Sequence, residues 1–85
     1  MKFRLIKHRK GKIYRVKLSK IKISKSFDRS KIRPEKWKAK LEYFYNTNDL
    51  QSRIFLNEDY LLVDGYTSYK IAKKFGIKKV PVEFI

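Results

Sequence analysis

The residues best suited to chemistry form one short segment, Asp64-Gly65-Tyr66-Thr67-Ser68. A carboxylate and a glycine are followed there by side chains that carry hydroxyls. The glycine lets the backbone bend sharply or approach a ligand closely. If a helix begins at this point, the amides of Tyr66, Thr67 and Ser68 lie in its first turn, where an amide has no carbonyl partner one turn earlier. Such amides can hold an anion, so the segment is a candidate phosphate-binding turn.

The flanking pattern predicts a strand before this turn and a helix after it. The apolar run Tyr60–Val63 is typical of a short strand, whereas Tyr69, Ala72 and Phe75 recur at helical spacing. Gly76 comes directly after the last of these positions, where a glycine often ends a helix. The helix is therefore expected to begin at the turn and to end at Gly76.

Two roles fit Asp64. In an enzyme it would be a general base or a Mg²⁺ ligand beside a bound phosphate, assisted by the hydroxyls that follow it. In a structural role its carboxylate would cap the helix. Glu58 and Asp59 fall in a predicted hairpin turn, and His8 is the single histidine of a chain without cysteine. No metal site is predicted.

The same stretch resembles the signature of the ParB and sulfiredoxin superfamily, often called the ParB-like nuclease domain. In that family a strand leads to an Asp-Gly turn, a helix, a glycine and a Val-Pro-Val strand. The likeness extends more weakly back to about Ile21, and it implies an α+β fold with a small mixed sheet. The matching positions are Leu62, Val63, Asp64, Gly65, Tyr69, Ala72, Lys73, Gly76, Val80, Pro81 and Val82.

Two departures from the family pattern limit the activities that the resemblance implies. Sulfiredoxins place their catalytic cysteine directly after the glycine, whereas this chain has Tyr66 there and no cysteine at all. A phenol cannot replace a thiolate nucleophile, so sulfiredoxin chemistry is excluded. ParB proteins place arginines that hold nucleotide phosphates where this chain has Thr67 and Ser68, so the charge-assisted contacts are missing from the motif.

Length and composition indicate one domain and an anionic partner. Eighty-five residues without disulfides form a single small domain, and no apolar run approaches the roughly 18 residues of a membrane span, so a cytoplasmic protein is expected. The formal net charge is +15. Residues 1–26 carry eleven basic residues and no acidic one, whereas the remaining residues carry twelve basic and eight acidic. A basic segment of this kind attracts polyanions.

The basic segment is predicted to form a β-hairpin over Met1–Leu18, within an extension of residues 1–20 that precedes a family core of residues 21–85. Basic and apolar residues alternate on both sides of Gly11, which suits a hairpin turn. One face of the ribbon would contact phosphates; alternatively, it is a solvated face that deters aggregation. The basic residues of the strands and loop are Lys2, Arg4, Arg9, Lys10, Lys12, Arg15 and Lys17.

The rest of the chain predicts a second main helix and four strands, one of them the strand before the turn. Ile21–Ile23 continues the alternation of a strand, and residues 24–33 form a polar connection. A helix starts at Pro34 and ends in the turn-forming residues 46–49. Its apolar stripe, predicted to be core, is Trp37, Leu41, Phe44 and Tyr45, and its solvated face is Lys36, Lys40 and Tyr43. Strands are predicted at residues 53–56, 60–63 and 79–85, and Pro81 places the last of them at an edge or against an irregular neighbour.

Three functions follow as hypotheses. The leading one is a non-catalytic nucleic-acid-binding protein, in which the hairpin together with Lys73 and Lys74 contacts DNA or RNA phosphates. The second is a nucleotide site for a molecule such as CTP or ATP at Gly65, Tyr66, Thr67 and Ser68, serving a phosphotransferase, NTPase or nuclease that uses Asp64. The third is an interaction module, encoded by a phage or plasmid, that docks on a protein or nucleoprotein partner. The sequence leaves the oligomeric state open.

Overall fold

The computed structural model describes residues 9–29 and 31–85 and shows a mixed α+β fold, as predicted. Four strands form one sheet, and three helices and a short 3-10 turn connect them. No helix in these ranges has both the length and the apolar content needed to cross a membrane. In chain order the elements are β1 (Ile13–Lys17), the 3-10 turn (Leu18–Lys20), α1 (Lys25–Arg29), α2 (Pro34–Thr47), β2 (Ile54–Leu56), β3 (Leu62–Asp64), α3 (Tyr66–Lys74) and β4 (Lys79–Phe84).

The strands lie in the order β1-β4-β2-β3, so the strand that comes last in the sequence is an interior one. β2 and β3 form the predicted antiparallel hairpin. β4 runs antiparallel to β1 and parallel to β2. A parallel pair needs a connection that crosses from one end of the sheet to the other, and α3 is part of that connection. The turn before α3 therefore lies where the chain leaves the sheet.

β1 belongs to the sheet, and it lies within the segment that the sequence analysis treats as an extension of residues 1–20. Tyr14 and Val16 lie opposite Val82 and Val80 in β4, and Val16 is buried in the core. The first strand of the predicted hairpin lies outside the described residues. The predicted strand at 21–23 is reduced to a single bridge between Lys22 and Leu61.

Pro81 lies in an interior strand, so the predicted position at a sheet edge is wrong. The alternative prediction, pairing against an irregular neighbour, agrees with the structure. The pairing of β2 with β4 begins only at Val82, opposite Ile54. The amide of Ile85 donates to the carbonyl of Leu56. Two steps of the ladder earlier, residue 81 would donate to the carbonyl of Ser52, but proline has no N–H. The hydroxyl of Ser68 donates to that carbonyl instead, at 2.7 Å.

The core lies between the sheet and α3. It contains residues from all four strands together with Ala72, and α3 also buries Thr67, Ser68 and Ile71. The predicted helix at Pro34 is present and ends at Asn48, which adopts the left-handed conformation with φ 57°. The apolar stripe of this helix was predicted to be core, and that prediction is wrong. α2 has no fully buried residue, and Tyr45 is 65% exposed. The helix rests mainly on α3, through the stacked rings of Phe44 and Phe75, 5.0 Å apart.

Residues 25–29 form α1, where the sequence predicts only a polar connection. Ser24 Oγ accepts a hydrogen bond from the amide of Phe27 at 3.4 Å, which is the interaction that a serine makes at the start of a helix. The ring of Phe27 then stacks on Tyr66 at 5.3 Å. The short helix therefore brings an aromatic side chain to the start of α3.

Candidate functional site

The turn between β3 and α3 has the geometry that the sequence predicts. β3 ends at Asp64, Gly65 has φ 92° and precedes the first helical residue, and α3 starts at Tyr66. A Cβ at position 65 would lie 2.5 Å from the carbonyl oxygen of Arg53 and 2.8 Å from the Cα of Ile54. Only glycine satisfies both the left-handed backbone and this close approach to β2. At the other end of α3, Gly76 has φ 67° and follows the C-cap, as predicted.

Asp64 does not cap the helix, so the predicted structural role is wrong. α3 has no side-chain cap, and Gly65 occupies the N-cap position. The carboxylate of Asp64 instead accepts the amide of Gly65, 2.8 Å away. The residue is exposed and faces the cleft described next.

A cleft of about 620 Å³ opens at the start of α3. We call it the cationic cleft, because lysine and arginine side chains from three parts of the chain converge on it. Three of the four residues predicted to bind phosphate line it, namely Gly65, Tyr66 and Thr67. The other residues of the lining are Phe27, Lys31, Ile32, Arg33, Lys36, Lys40, Ser52, Arg53, Phe55 and Asp64.

Ser68 does not line the cleft. It is 1% exposed, and its hydroxyl is bonded to the carbonyl of Ser52. The predicted phosphate-binding segment is therefore divided by its geometry. Its first three residues face the cleft, while the fourth holds α3 against the sheet.

Lys36 and Lys40 lie one turn apart on α2 and line the cleft, although the sequence predicts a solvated face for them. Lys40 is partly buried, and its Nζ donates to Ser52 Oγ. The pKa of Lys40 is lowered, first by burial and then by the positive charge of Lys36, while the carboxylate of Asp64 acts in the opposite direction. Like charges held together in a cleft favour the binding of an anion.

Arg53 and two residues before α2 supply the rest of the positive charge that lines the cationic cleft. Lys31 and Arg33 come from the segment that precedes α2, and Arg53 directly precedes β2. Arg53 also forms an ion pair of 3.5 Å with Glu83. The motif itself contributes no arginine to the cleft, and these cations come from other parts of the chain. No local pattern in the sequence shows that residues 31–40 fold over residues 64–67, so the sequence does not identify these cations as part of the site.

One wall of the cleft is aromatic. Tyr66 stacks on Phe27 at 5.3 Å and on Tyr69 at 6.3 Å, and Lys70 Nζ lies 6.0 Å from the centre of the Tyr66 ring. Phe55 also lines the cleft. The site therefore combines cations and a helix start with flat apolar rings, which are the groups that contact the two parts of a nucleotide.

The described residues of the predicted nucleic-acid surface are exposed, and they lie on several elements of the fold. Arg15 and Lys17 share the face of β1 that points away from the core, and Lys79 lies opposite Lys17. Lys12 lies over the ring of Tyr14, 5.4 Å from its centre. The other exposed residues of this prediction are Arg9 and Lys10 in the loop and Lys73 and Lys74 at the end of α3. Lys2 and Arg4 lie outside the described residues.

Across residues 9–29 and 31–85, no three acidic or histidine side chains come together as a metal site. No protein-family model matches the sequence, and no curated protein matches it significantly.

Solved structures do match the fold. The structure of a Pnob8-like ParB N-domain aligns with a TM-score of 0.72 at 22% identity, over 86% of this chain and 29% of that one. Sulfiredoxin from Arabidopsis thaliana aligns with a TM-score of 0.68 at 22% identity, over 87% of this chain and 84% of that one. A free serine kinase in complex with AMP aligns with a TM-score of 0.68 at 22% identity, over 92% of this chain and 32% of that one.

The protein therefore has the ParB/sulfiredoxin-like fold, which confirms the resemblance that its Asp-Gly turn and Val-Pro-Val strand predict. At this level of identity, the likeness concerns the fold alone. The chain spans about a third of the ParB N-domain and kinase chains, and most of the sulfiredoxin chain.

Proposed function

We propose that the protein binds a nucleotide in the cationic cleft, with the phosphates against the start of α3. The observation that carries the proposal is the convergence of five cationic side chains on the turn at Gly65. A lone helix start is a weak anion site, but charged donors around it make hydrogen bonds about twice as strong as neutral ones. The five residues are Lys31, Arg33, Lys36, Lys40 and Arg53.

The aromatic wall supports a nucleotide over a simple phosphate. The rings of Phe27, Tyr66 and Phe55 line the cleft beside the cations, so a base has an apolar surface to contact while its phosphates meet the lysines. A kinase of the same fold has been solved in complex with AMP. The likeness covers 32% of that kinase chain, and it supports nucleotides as the first ligands to test.

Calorimetric titrations with ATP, CTP, AMP and pyrophosphate test this proposal. α2 offers a matched pair of variants, because Lys36 and Lys38 are both exposed lysines but only Lys36 lines the cleft. We expect Lys36→Ala to weaken binding about tenfold, which corresponds to the loss of one charged contact, and Lys38→Ala to have little effect. Amide resonances of residues 65–67 should shift during the titration. If millimolar nucleotide and pyrophosphate leave those resonances in place, the proposal is wrong.

An enzymatic version of the proposal assigns Asp64 as the general base. The carboxylate faces the cleft and is close enough to Lys40 to influence its pKa. A phosphotransferase, NTPase or nuclease would then lose turnover in Asp64→Asn while nucleotide binding remains. Equal turnover of this variant and the parent protein would exclude Asp64 as the general base.

Nucleic-acid binding is the second candidate, and it is favoured by the arrangement of charge on β1. Arg15 and Lys17 share one face, Lys79 adds to it from β4, and Arg9 and Lys10 are exposed in the adjoining loop. Contacts of this kind engage phosphates without selecting a base sequence. Gel shifts with duplex DNA, single-stranded DNA and RNA should show binding that falls steeply with salt. Replacing Arg15 and Lys17 by alanine should reduce that binding, whereas Lys36→Ala should affect it less.

A further inference from the structure

A second concavity lies at the opposite end of α3 from the cationic cleft. It has a volume of about 670 Å³ and lies between the C-terminal end of α3, the connection to β4 and the end of β1. We call it the lysine-rimmed groove, because Lys17, Lys73, Lys78 and Lys79 surround an apolar floor that includes Leu18 and Ile77. It shares no lining residue with the cleft.

The floor is held in place by backbone hydrogen bonds. The amide of Leu18 donates to the carbonyl of Lys78 at 2.8 Å, and the amide of Ile77 donates to the carbonyl of Ala72 at 2.9 Å. Both apolar side chains are partly buried against the core. The two sides of the groove are therefore joined to each other and to α3, so a partner meets a preformed surface.

The rim carries more positive charge than the fold requires. The helix dipole accounts for Lys73 in the last turn of α3. It does not account for Lys17 and Lys79, which face each other directly across β1 and β4. Like charges in such a cross-strand pair destabilise a sheet. Among the acidic side chains that the structure describes, which leave out Asp28, none forms a salt bridge with any of the four rim lysines.

We propose that the groove docks an acidic segment of a partner protein, with an aliphatic side chain of that segment on the floor. The positive rim selects carboxylates, and the aliphatic floor offers a pocket to an apolar anchor. A second copy of this chain is a poor occupant, because its formal charge of +15 would be repelled by the rim. A nucleic-acid backbone would meet the lysines, but its phosphates would leave the floor of Leu18 and Ile77 unused.

The test uses the full chain and a labelled peptide in which one leucine is flanked on both sides by glutamates. We expect fluorescence anisotropy to show binding, and amide resonances of residues 17–19 and 73–79 to shift while those of residues 65–67 stay in place. A peptide with serine in place of leucine should bind more weakly. This difference reports on the floor, whereas binding that depends on charge alone would be the same for both peptides.

Lys73→Gln combined with Lys78→Gln should weaken peptide binding about threefold to tenfold, as expected for the loss of two exposed charge pairs. The control carries Lys22→Gln and Lys38→Gln, which remove the same charge from exposed positions outside the groove. The proposal is overturned if the two double variants bind alike or if serine replaces leucine without loss. It is also overturned if single-stranded DNA of equal charge displaces the peptide from the groove. None of these outcomes depends on nucleotide binding in the cleft.

Discussion

Gly65 lies between the sheet and the candidate site, and its backbone packs closely against neighbouring backbone. The backbone of residue 65 is left-handed, and any side chain there would overlap the backbone of Arg53 and Ile54. We expect Gly65→Ala to lower the free energy of unfolding by about 2–5 kcal/mol, the combined cost of a strained backbone and a steric overlap. Gly76→Ala is the matched control, because position 76 is also left-handed but a Cβ there would meet no atom within 4 Å beyond its chain neighbours. Its cost should be about 1–2 kcal/mol. Urea denaturation of both variants measures the difference, and equal losses would contradict the close approach.

Lys40 should titrate below the ordinary lysine range. Burial and the charge of Lys36 lower its pKa, and Asp64 opposes them. Nuclear magnetic resonance titration of the lysine side chains should therefore show that Lys36→Ala raises the pKa of Lys40 and that Asp64→Asn lowers it. Because the charged form is disfavoured in the folded state, the cost to stability is present below this pKa. That cost disappears as the pH rises from the lowered pKa towards 10.5, the ordinary value. A pKa that neither substitution changes would show that the three groups are not coupled.

At the scale of elements, a serine of α3 supplies the hydrogen-bond donor that a proline of β4 lacks. Pro81 has no amide to give to the carbonyl of Ser52, and the hydroxyl of Ser68 takes its place. Ser68→Ala should cost about 1–3 kcal/mol, because it leaves a partly buried acceptor without its donor. In a Pro81→Ala background the strand regains an amide at this position, so the same substitution should cost less. A double-mutant cycle in urea measures the coupling between the two sites. Costs that simply add would show that the two donors do not substitute for each other.

Elements whose signals lie within a few residues were predicted, and elements that depend on distant contacts were not. Gly65 and Gly76 mark the two ends of α3 locally, and Pro34 marks the start of α2. The antiparallel pairing of β1 with β4 places Ile13 opposite Glu83, and neither segment has a local sequence pattern that indicates its partner. The cleft depends on the same kind of contact, since Lys36 and Lys40 look like a solvated helix face until α2 is placed beside the turn. Phe27 was missed because α1 is only five residues long.

At the scale of the whole molecule, the net charge of +15 makes stability depend on the ionic medium. Repulsion among the cations opposes folding, and salt screens it, so Tm should rise with sodium chloride. Pyrophosphate at equal ionic strength should raise Tm further, because a ligand that binds only the folded state stabilises it by about 2.7 kcal/mol at a hundred times its Kd. Scanning calorimetry of the parent protein and of Lys36→Ala checks both effects. The variant should keep the chloride response and lose part of the pyrophosphate response. An identical gain from pyrophosphate in both proteins would remove the cleft as its origin.

The interior position of β4 also bears on how the molecule assembles. β2, β3 and α3 are neighbours in the sequence and can come together early, whereas β1 must wait for a partner that is synthesised far behind it. Closing so long a loop slows folding. Until β4 arrives, β1 has no place in the sheet, and the edge of β2 that β4 later covers stays open to other chains. The risk of aggregation is therefore highest during the interval before β4 inserts between β1 and β2.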